Sequence, residues 1–287
     1  MSAIVRAFDR QLGETFLETV PRAPGVYRFL DREGTVVYVG KAVNLRRRLS
    51  QYRNAKRLKK HWKMRAIVKS AASLTFEACG TELEAELREA ELIAQLRPKW
   101  NVAGAFSFMY PSIGLGHGAR REAVLAYSTT PSERADLAWH GAYRSRDITG
   151  EAFFALVRLL ALIGHREPPE RRARGARTYV FTIRQLPAGW MDEWTAFLRG
   201  ESRAALSRLV LALLDKPRAR RGAAEVQADV DALERFFRHE ALRLREACRA
   251  TGETRWPVPQ EARDTVFIRA RSLKRDGGSQ AAAPSDR

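Results

Sequence analysis

The stretch VVYVGKAVNLRRRL, Val36–Leu49, joins a short apolar segment to a basic segment with helical spacing. The valines around Tyr38 are typical of a strand, and Gly40 interrupts the apolar run. Asn44 is suited to cap a helix that begins after it. The stretch therefore brings a phenol, an amine and three guanidinium groups to one strand-to-helix turn. It has two interpretations: a solvated basic helix, or a site that holds and cuts a phosphodiester.

Composition favours a polyanionic partner. The 287 residues include 51 Lys and Arg against 33 Asp and Glu, a net charge of +18. Such an excess is typical of proteins that bind nucleic acid or an anionic membrane surface. No apolar run approaches the roughly 20 residues of a membrane span, and the first residues lack the apolar core of a signal peptide. DNA or RNA is therefore the expected partner class, with no membrane segment.

The two cysteines limit the possible stabilising chemistry. Cys79 and Cys248 are too few for a disulfide framework or a four-cysteine zinc site. We therefore expect no disulfide partner and a place in a reducing, bacterial cytoplasm.

The pattern predicts an α+β chain with a small first domain. Residues 1–20 are expected to be an amphipathic lead-in helix, and residues 21–104 a domain with a three-stranded antiparallel sheet and flanking helices. The predicted strands are Gly25–Leu30, Thr35–Val39 and Leu74–Ala78. The predicted helices begin at Asn44, cover the basic segment 54–70, and run from a capping box at Thr81 and Glu84 to Leu96, before Pro98.

Residues 105–271 are expected to form a mixed, mainly helical second domain. A loop is predicted over 106–118, and residues 272–287 are polar enough to predict a disordered tail. The predicted strands are Val124–Tyr127, Trp139–Tyr143 and Tyr179–Ile183. The predicted helices are Glu151–Ile163, Met191–Leu198, Ser202–Leu214 and Glu225–Arg249.

The basic run from Arg46 to Lys69 contains no acidic residue. Solvent-facing helices usually alternate acidic and basic residues to form pairs one turn apart, so this asymmetry favours a phosphate-backbone surface. The residues expected to contact DNA are Arg46, Arg47, Arg53, Lys56, Arg57, Lys59, Lys60 and Lys63, with His61 beside them.

An ordered set of motifs resembles the GIY-YIG nuclease family. GVY (residues 25–27) is followed eleven residues later by YVG (residues 38–40) and then by KAVNLRRRL. The later stretch TELEAELREAELIAQLRPKWNV, Thr81–Val102, is similar to the family's closing helix and its Pro-x-aromatic-Asn ending. Within the family, the order and spacing resemble the UvrC and Cho excision-repair endonucleases most.

The resemblance implies one metal ion and a set of charged groups around it. Glu89 would bind a single Mg²⁺ or Mn²⁺, with substrate phosphate and water as further ligands. Arg48 would neutralise charge that develops on the phosphorus centre, since its fork matches two phosphate oxygens. Lys41 would lie beside the metal and the tyrosines and lower the free energy of forming a phenolate.

The resemblance also implies roles for two tyrosines and an asparagine. One of Tyr27 and Tyr38 would orient or deprotonate the attacking water, and the other would hold the water shell of the metal; which one does which stays open. Asn101 would fix the geometry of the site through hydrogen bonds.

The second half resembles UvrC-type proteins more faintly. Their cysteine cluster is absent from the corresponding segment, residues 165–190, so no iron–sulfur or zinc centre is expected. The segments Phe197–Ser202 and Glu234–Ala247 weakly resemble a helical hairpin that contacts the damage-loading protein UvrB. A plain amphipathic helix pair that packs on its own domain is an equal alternative.

The expected function is therefore a metal-dependent DNA endonuclease of nucleotide excision repair. It would make a single incision near a lesion presented by a UvrA/UvrB-type complex. Two alternatives remain: a structure-specific, restriction or mobile-element nuclease with the same chemistry, and a catalytically silent DNA-binding adaptor.

Overall fold

A computed structural model describes residues 6–56, 58–101, 110–118, 122–168 and 178–280, without the side chains of residues 132, 133 and 276–280. Arg57, residues 106–109 of the predicted loop and residues 281–287 of the predicted tail lie outside the described residues. The chain forms two compact units, Met1–Ser107 and Phe108–Arg287.

The first unit is built on a three-stranded antiparallel sheet. Its elements are α1 (Ala7–Leu12), α2 (Phe16–Thr19), β1 (Gly25–Leu30), β2 (Val36–Ala42), α3 (Leu45–Arg53), α4 (Trp62–Ser70), β3 (Ser73–Ala78) and α5 (Glu82–Leu96). The strand order is β2-β1-β3, with β1 antiparallel to both neighbours. The predicted α+β fold with this sheet is confirmed.

Alternation along β1 sends its side chains to two separate cores. Tyr27 and Phe29 pack with Leu45 and Leu49 of α3, whereas Val26 on the opposite face packs with Leu92 and its neighbours on α5. Successive side chains of a strand point to opposite faces of the sheet, so a strand that is buried on both faces contributes to two cores. As a result, Tyr27 lies on the α3 side of the sheet, and α5 covers the other face.

The cap predictions hold in the first unit. The side chain of Asn44 accepts a hydrogen bond from the backbone N–H of Arg47 at the start of α3. Thr81 accepts one from Glu84 N at the start of α5, while the Glu84 carboxylate accepts from Gly80 N. These bonds satisfy backbone donors that a helix leaves without partners in its first turn.

Two predictions about helices in the first unit are wrong. The described part of the lead-in segment, residues 6–20, contains two short helices, α1 and α2, instead of one. The basic segment 54–70 is not one helix either, because α3 ends at Arg53 and only a 3₁₀ turn, Lys59–His61, precedes α4. Cations one turn apart destabilise a continuous helix. Arg65 instead donates to the carbonyl oxygens of Lys56 and Leu58 and holds the irregular connection.

The second unit combines a five-stranded antiparallel sheet with helices. Its strands are β4 (Ser112–His117), β5 (Ala123–Ser128), β6 (Ala138–His140), β7 (His165–Arg166) and β8 (Tyr179–Arg184), in the order β6-β4-β5-β8-β7. Its helices are α6 (Arg146–Ile163), α7 (Trp190–Leu198), α8 (Ala204–Leu214), α9 (Pro217–Arg221), α10 (Ala223–Phe236), α11 (Leu242–Thr251) and α12 (Arg263–Gln280). The loop predicted over 106–118 is wrong from Ser112 onward, where β4 lies inside the sheet.

The end of the chain follows one prediction and departs from another. A π-helical segment, Phe237–Ala241, joins α10 to α11, so the long helix predicted over Glu225–Arg249 is confirmed as one continuous helix. Its apolar side, including Phe236, Phe237 and Leu244, is buried in the core of its own unit, as the alternative interpretation predicted. Residues 272–280, expected to be disordered, belong to α12. No described helix is long and apolar enough to cross a membrane.

Candidate active site

Tyr27 lies at the centre of the candidate site and is fully buried. It pairs across the sheet with Gly40 of the YVG motif. A Cβ atom at position 40 would lie 2.5 Å from both the hydroxyl oxygen and Cζ of Tyr27. Since Cβ atoms do not approach other heavy atoms this closely, the glycine is what allows the Tyr27 ring to lie flat against β2.

Arg48 and Tyr52 reach Tyr27 from α3. Arg48 Nε donates to the Tyr27 hydroxyl oxygen at 3.1 Å, and the hydroxyl oxygens of Tyr27 and Tyr52 are 3.2 Å apart. The Arg48 guanidinium lies 5.5 Å from the centre of the Tyr52 ring, and its Nη1 donates to Gln51 Oε1 at 2.7 Å. Arg48 is therefore held on three sides, with the spacing of one helical turn placing it next to Tyr52.

Burial makes both of these phenols weaker acids than an ordinary tyrosine. Burial is the largest effect on Tyr27 and raises its pKa to about 12, with Tyr38 adding to the rise and Arg48 and Tyr52 opposing it. The pKa of Tyr52 is also raised, first by burial and then by Tyr27. The cation that favours a Tyr27 phenolate is thus Arg48.

Glu89 lies on the other side of β2, on α5. Its Oε1 accepts a hydrogen bond from the backbone N–H of Lys41 at 3.1 Å. Burial is the largest effect on Glu89 and raises its pKa above the usual carboxyl value, while Lys41 opposes the rise. Half-burial without an ion pair among the described residues leaves this carboxylate short of positive charge.

Lys41 contacts the carboxylate one turn before Glu89. Its ammonium Nζ lies 2.6 Å from Oε1 of Glu86, whose side chain is only 17% exposed. The structure therefore brings Lys41 to α5, and it brings Arg48, not Lys41, to the Tyr27 hydroxyl. The expectation that Lys41 assists a phenolate has no support in this arrangement.

Asn101 joins the end of the unit to β2. Its Oδ1 accepts from Val39 N at 2.9 Å, and its Nδ2 donates to Val39 O at 2.8 Å. Asn101 is buried, so both bonds are shielded from water. They fix the backbone of Val39, between Tyr38 and Gly40, and the role of Asn101 in positioning the site stays a prediction.

Tyr38 is half-buried at the edge of the tyrosine cluster. Its ring centre lies 6.2 Å from that of Tyr27 and 6.5 Å from that of Tyr52. The Lys63 ammonium lies 5.6 Å from the centre of the Tyr38 ring, within the range of a cation–π contact. Tyr38 is therefore the more accessible of the two tyrosines proposed for water activation.

The basic residues divide into two groups. Arg46 donates to the carbonyl oxygens of Val20 (2.6 Å) and Glu18 (2.9 Å), and Arg53 pairs with buried Asp9 at 2.6 Å. These two arginines hold α3 to the preceding helices instead of offering all their donors to a ligand. Among the described members of the predicted DNA-binding set, the exposed ones are Arg47, Lys56, Lys59 and Lys60.

A metal ion fits the donor set around Glu89. Among the described residues no group of three or more His, Cys, Asp or Glu side chains could hold one. Mg²⁺ nevertheless keeps several waters and needs only one or two carboxylates when phosphate completes its shell. Glu89, with one oxygen held by Lys41 N–H and with no ion pair to another described residue, meets that requirement.

Two members of the site were not predicted from the sequence. Tyr52 lies four residues after Arg48, and this spacing on a helix signalled a shared face. Glu86 lies three residues before Glu89, also on one face of its helix. Both signals were present, but α5 carries several glutamates, and helical spacing alone does not show that the Tyr52 hydroxyl reaches Tyr27.

The sheet, its two flanking helices and the tyrosine–arginine–glutamate arrangement define a GIY-YIG domain. The family model of the UvrC-like GIY-YIG domain matches residues 23–102. The first unit of this chain therefore belongs to the UvrC-like GIY-YIG family, as the motifs predicted.

Sequence relatives agree with this assignment. The chain is 31% identical over 209 residues to UvrABC system protein C of Brucella abortus, covering 69% of this chain and 33% of the relative. It is 43% identical over 102 residues to the Legionella pneumophila protein of that name, covering 36% of this chain and 16% of the relative. The chain thus spans about a third of the length of the Brucella relative. A crystal structure of the GIY-YIG N-terminal endonuclease domain of Thermotoga maritima UvrC, bound to magnesium as its catalytic divalent cation, is 37% identical. It covers 30% of this chain and 91% of that domain, with a TM-score of 0.27.

Proposed function

We propose that this protein is a DNA endonuclease of nucleotide excision repair that hydrolyses one phosphodiester bond near a lesion. The observation that carries the proposal is the Tyr27–Arg48 hydrogen bond within a UvrC-like GIY-YIG domain, together with Glu89 of α5, which the backbone N–H of Lys41 on β2 holds. A buried phenol held by a guanidinium that also favours the ionised form of a desolvated carboxylate is suited to binding and activating a phosphodiester and is unusual for a surface that only grips DNA.

In the proposed reaction, a water oxygen attacks phosphorus in line with the P–O bond that breaks. The products are a phosphate monoester and a hydroxyl group on the two ends of the cut strand. Arg48 would stabilise the negative charge on the non-bridging oxygens, for which its guanidinium fork is suited. Asn101 would act through Val39, by keeping Tyr38 and Gly40 in place.

The protonated Tyr27 is best suited to orient the attacking water through its hydroxyl group. With a pKa of about 12, its ionisation at pH 7 would cost about 7 kcal/mol. Tyr38, which is more accessible, remains the alternative partner of the water. Glu89 would hold one Mg²⁺ or Mn²⁺, which when bound would polarise the phosphate and lower the pKa of its water ligands.

Plasmid nicking tests the proposal. Damaged and undamaged supercoiled plasmids would be incubated with Mg²⁺ and the wild-type protein, Glu89→Gln or Tyr27→Phe, with and without UvrA and UvrB. We expect nicking of the damaged plasmid by the wild type only, and its loss on chelation of the metal. Nicking of undamaged DNA without the partner proteins would instead favour a nuclease outside excision repair. No nicking under any condition would leave the DNA-binding adaptor.

The UvrA/UvrB-type partner rests on the relatives' name alone. Glu234–Ala247, which weakly resembles a hairpin that contacts UvrB, buries its apolar side in its own unit. A pull-down of purified UvrB by this protein would test the partnership directly. Binding that survives substitution of exposed Arg238 and Arg243 would place the contact elsewhere in the chain.

A further inference from the structure

Trp62 is an exposed aromatic residue within the most basic part of the first unit. It is the first residue of α4 and 55% of its surface is exposed. Exposed Lys59 and Lys60 precede it in the 3₁₀ turn, and Leu58 before them is 47% exposed. Tryptophan is the largest apolar side chain, and leaving more than half of it in water costs hydrophobic free energy that a ligand would recover.

A fixed second indole supports Trp62 from below. The rings of Trp62 and Trp100 meet at 6.2 Å between centres, with an angle of 67° between their planes. Trp100 is held in turn, because its Nε1 donates to Ser70 Oγ at 3.0 Å and its backbone N–H donates to Val37 O at 3.1 Å. Trp62 therefore has a defined orientation, which lowers the entropy lost when a ligand stacks on it.

Both indoles are adjacent in sequence to residues that contact the active-site strand. Lys63, next to Trp62, holds its ammonium over the Tyr38 ring, and Asn101, next to Trp100, binds Val39. Trp100, which Trp62 contacts, packs against the core that contains Tyr27, Tyr38 and Tyr52, so Trp62 lies at the edge of that core. A DNA strand whose phosphate lies against the half-buried Tyr38 and Arg48 would pass within reach of Trp62.

We propose that Trp62 is a stacking site for an unpaired nucleobase next to the scissile phosphate. The inference rests on the proposed nuclease function and adds to it a preference for locally unpaired DNA. An indole stacks on any base whose face is free, but bases inside a duplex already have both faces covered. The lysines around Trp62, in a run without acidic residues, favour a polyanion over an apolar protein partner.

Binding of matched DNA probes tests this inference. Two fluorescein-labelled duplexes of one length, one fully paired and one with a short central bubble, would be titrated with Glu89→Gln, which keeps the DNA intact. Adding Trp62→Ala is expected to weaken binding of the bubbled duplex about tenfold, the scale of one lost base stack, and to change the paired duplex little. Trp62→Phe should retain most of the affinity because phenylalanine also stacks.

Tryptophan emission gives a second, independent readout. The bubbled duplex should quench part of the emission of Glu89→Gln, and that part should be missing from Glu89→Gln/Trp62→Phe. Leu96→Ala, which removes another exposed apolar side chain of the same unit, is the matched control and should change neither duplex. Retained binding of the paired duplex by Trp62→Ala shows that the variant is folded.

Two outcomes would overturn the inference in different ways. Equal affinity of Trp62→Ala and its parent for the bubbled duplex, or an equal loss for both duplexes, would reject base stacking while leaving the nuclease proposal intact. No binding of either duplex by any of these proteins would reject the stacking site, while the nicking assay with UvrA and UvrB still decides the nuclease proposal.

Discussion

At the scale of single residues, Tyr27 combines complete burial with two hydrogen-bond partners, Arg48 and Tyr52. Its pKa is about 10 in the unfolded chain and about 12 in the folded protein. A raised pKa means that the folded state favours the protonated phenol. The stabilisation from this group is therefore complete below about pH 10 and is lost as the pH rises towards 12.

Alkaline unfolding tests this value. Between about pH 9 and pH 11, the unfolding free energy of Tyr27→Phe should fall about 1 kcal/mol less than that of the wild type. Tyr52→Phe should show the same sign, because the pKa of Tyr52 is also raised by burial. Urea titrations at a series of pH values would measure both. Parallel curves for the wild type and Tyr27→Phe would contradict the raised pKa.

The contact between Gly40 and Tyr27 gives a second prediction. Gly40→Ala would place a methyl group 2.5 Å from the Tyr27 hydroxyl, so the ring must shift away from Arg48. We expect a loss of about 1–3 kcal/mol in unfolding free energy, the usual cost of overpacking, together with loss of nicking. Gly150→Ala, within α6, is the control. The atom nearest to an added Cβ there is the Tyr127 hydroxyl oxygen at 3.8 Å, so the methyl group has room, and alanine should stabilise the helix. Full nicking by Gly40→Ala would show that the reaction does not depend on the position of the Tyr27 ring.

The sequence motifs predicted most residues of the candidate site, but they did not predict the partner of Lys41. Tyr27, Arg48, Glu89 and Asn101 lie in the predicted domain, because the motifs fixed both their spacing and the elements that carry them. The partner of Lys41 was not predictable, since two carboxylates one turn apart on α5 differ only in the direction in which each side chain points.

At the scale of elements, β2 is held from outside the sheet by the side chain of Asn101, which we call the Asn101 clamp. Asn101→Ala would leave Val39 N and O buried without their side-chain partner. Each buried unsatisfied group costs about 1–3 kcal/mol, so we expect a loss of at least about 2 kcal/mol in unfolding free energy. Asn44→Ala removes a single cap bond of α3 and should cost about 1 kcal/mol. Equal losses for the two variants, measured by urea unfolding, would reject the clamp.

Elements were predictable where periodicity and caps agreed. The strands β1 and β3 and the helix α5 follow their patterns, and the caps at Asn44 and Thr81 mark true helix starts. β4 was missed because Gly114 and Gly116 suggest a loop. Their absent side chains instead make room for Trp139 and Leu137, whose atoms would lie 3.1 Å and 2.4 Å from added Cβ atoms. Such a need for space depends on tertiary packing, which local sequence does not encode.

At the scale of the whole molecule, the net charge of +18 does not measure DNA contact. Many arginines are already engaged inside the fold, as Arg46 and Arg53 are in the first unit and Arg158 is with Asp229 in the second. A guanidinium group that already binds a carboxylate or a carbonyl oxygen contacts few phosphates, so it releases few counterions from DNA. We therefore expect the exposed lysines around Trp62 to account for more of the salt dependence than Arg46 and Arg53 of α3.

Charge-removing variants test this division. Lys59→Gln/Lys60→Gln should lower the slope of log K against log salt by up to about 2, since each lost phosphate contact removes about 0.9. It should leave the unfolding free energy almost unchanged, because both side chains are exposed. Arg46→Gln/Arg53→Gln removes the same charge but should lower the unfolding free energy and keep the slope, because these arginines bind Val20, Glu18 and Asp9. A slope lowered equally by both double variants would mean that the arginines also contact phosphate.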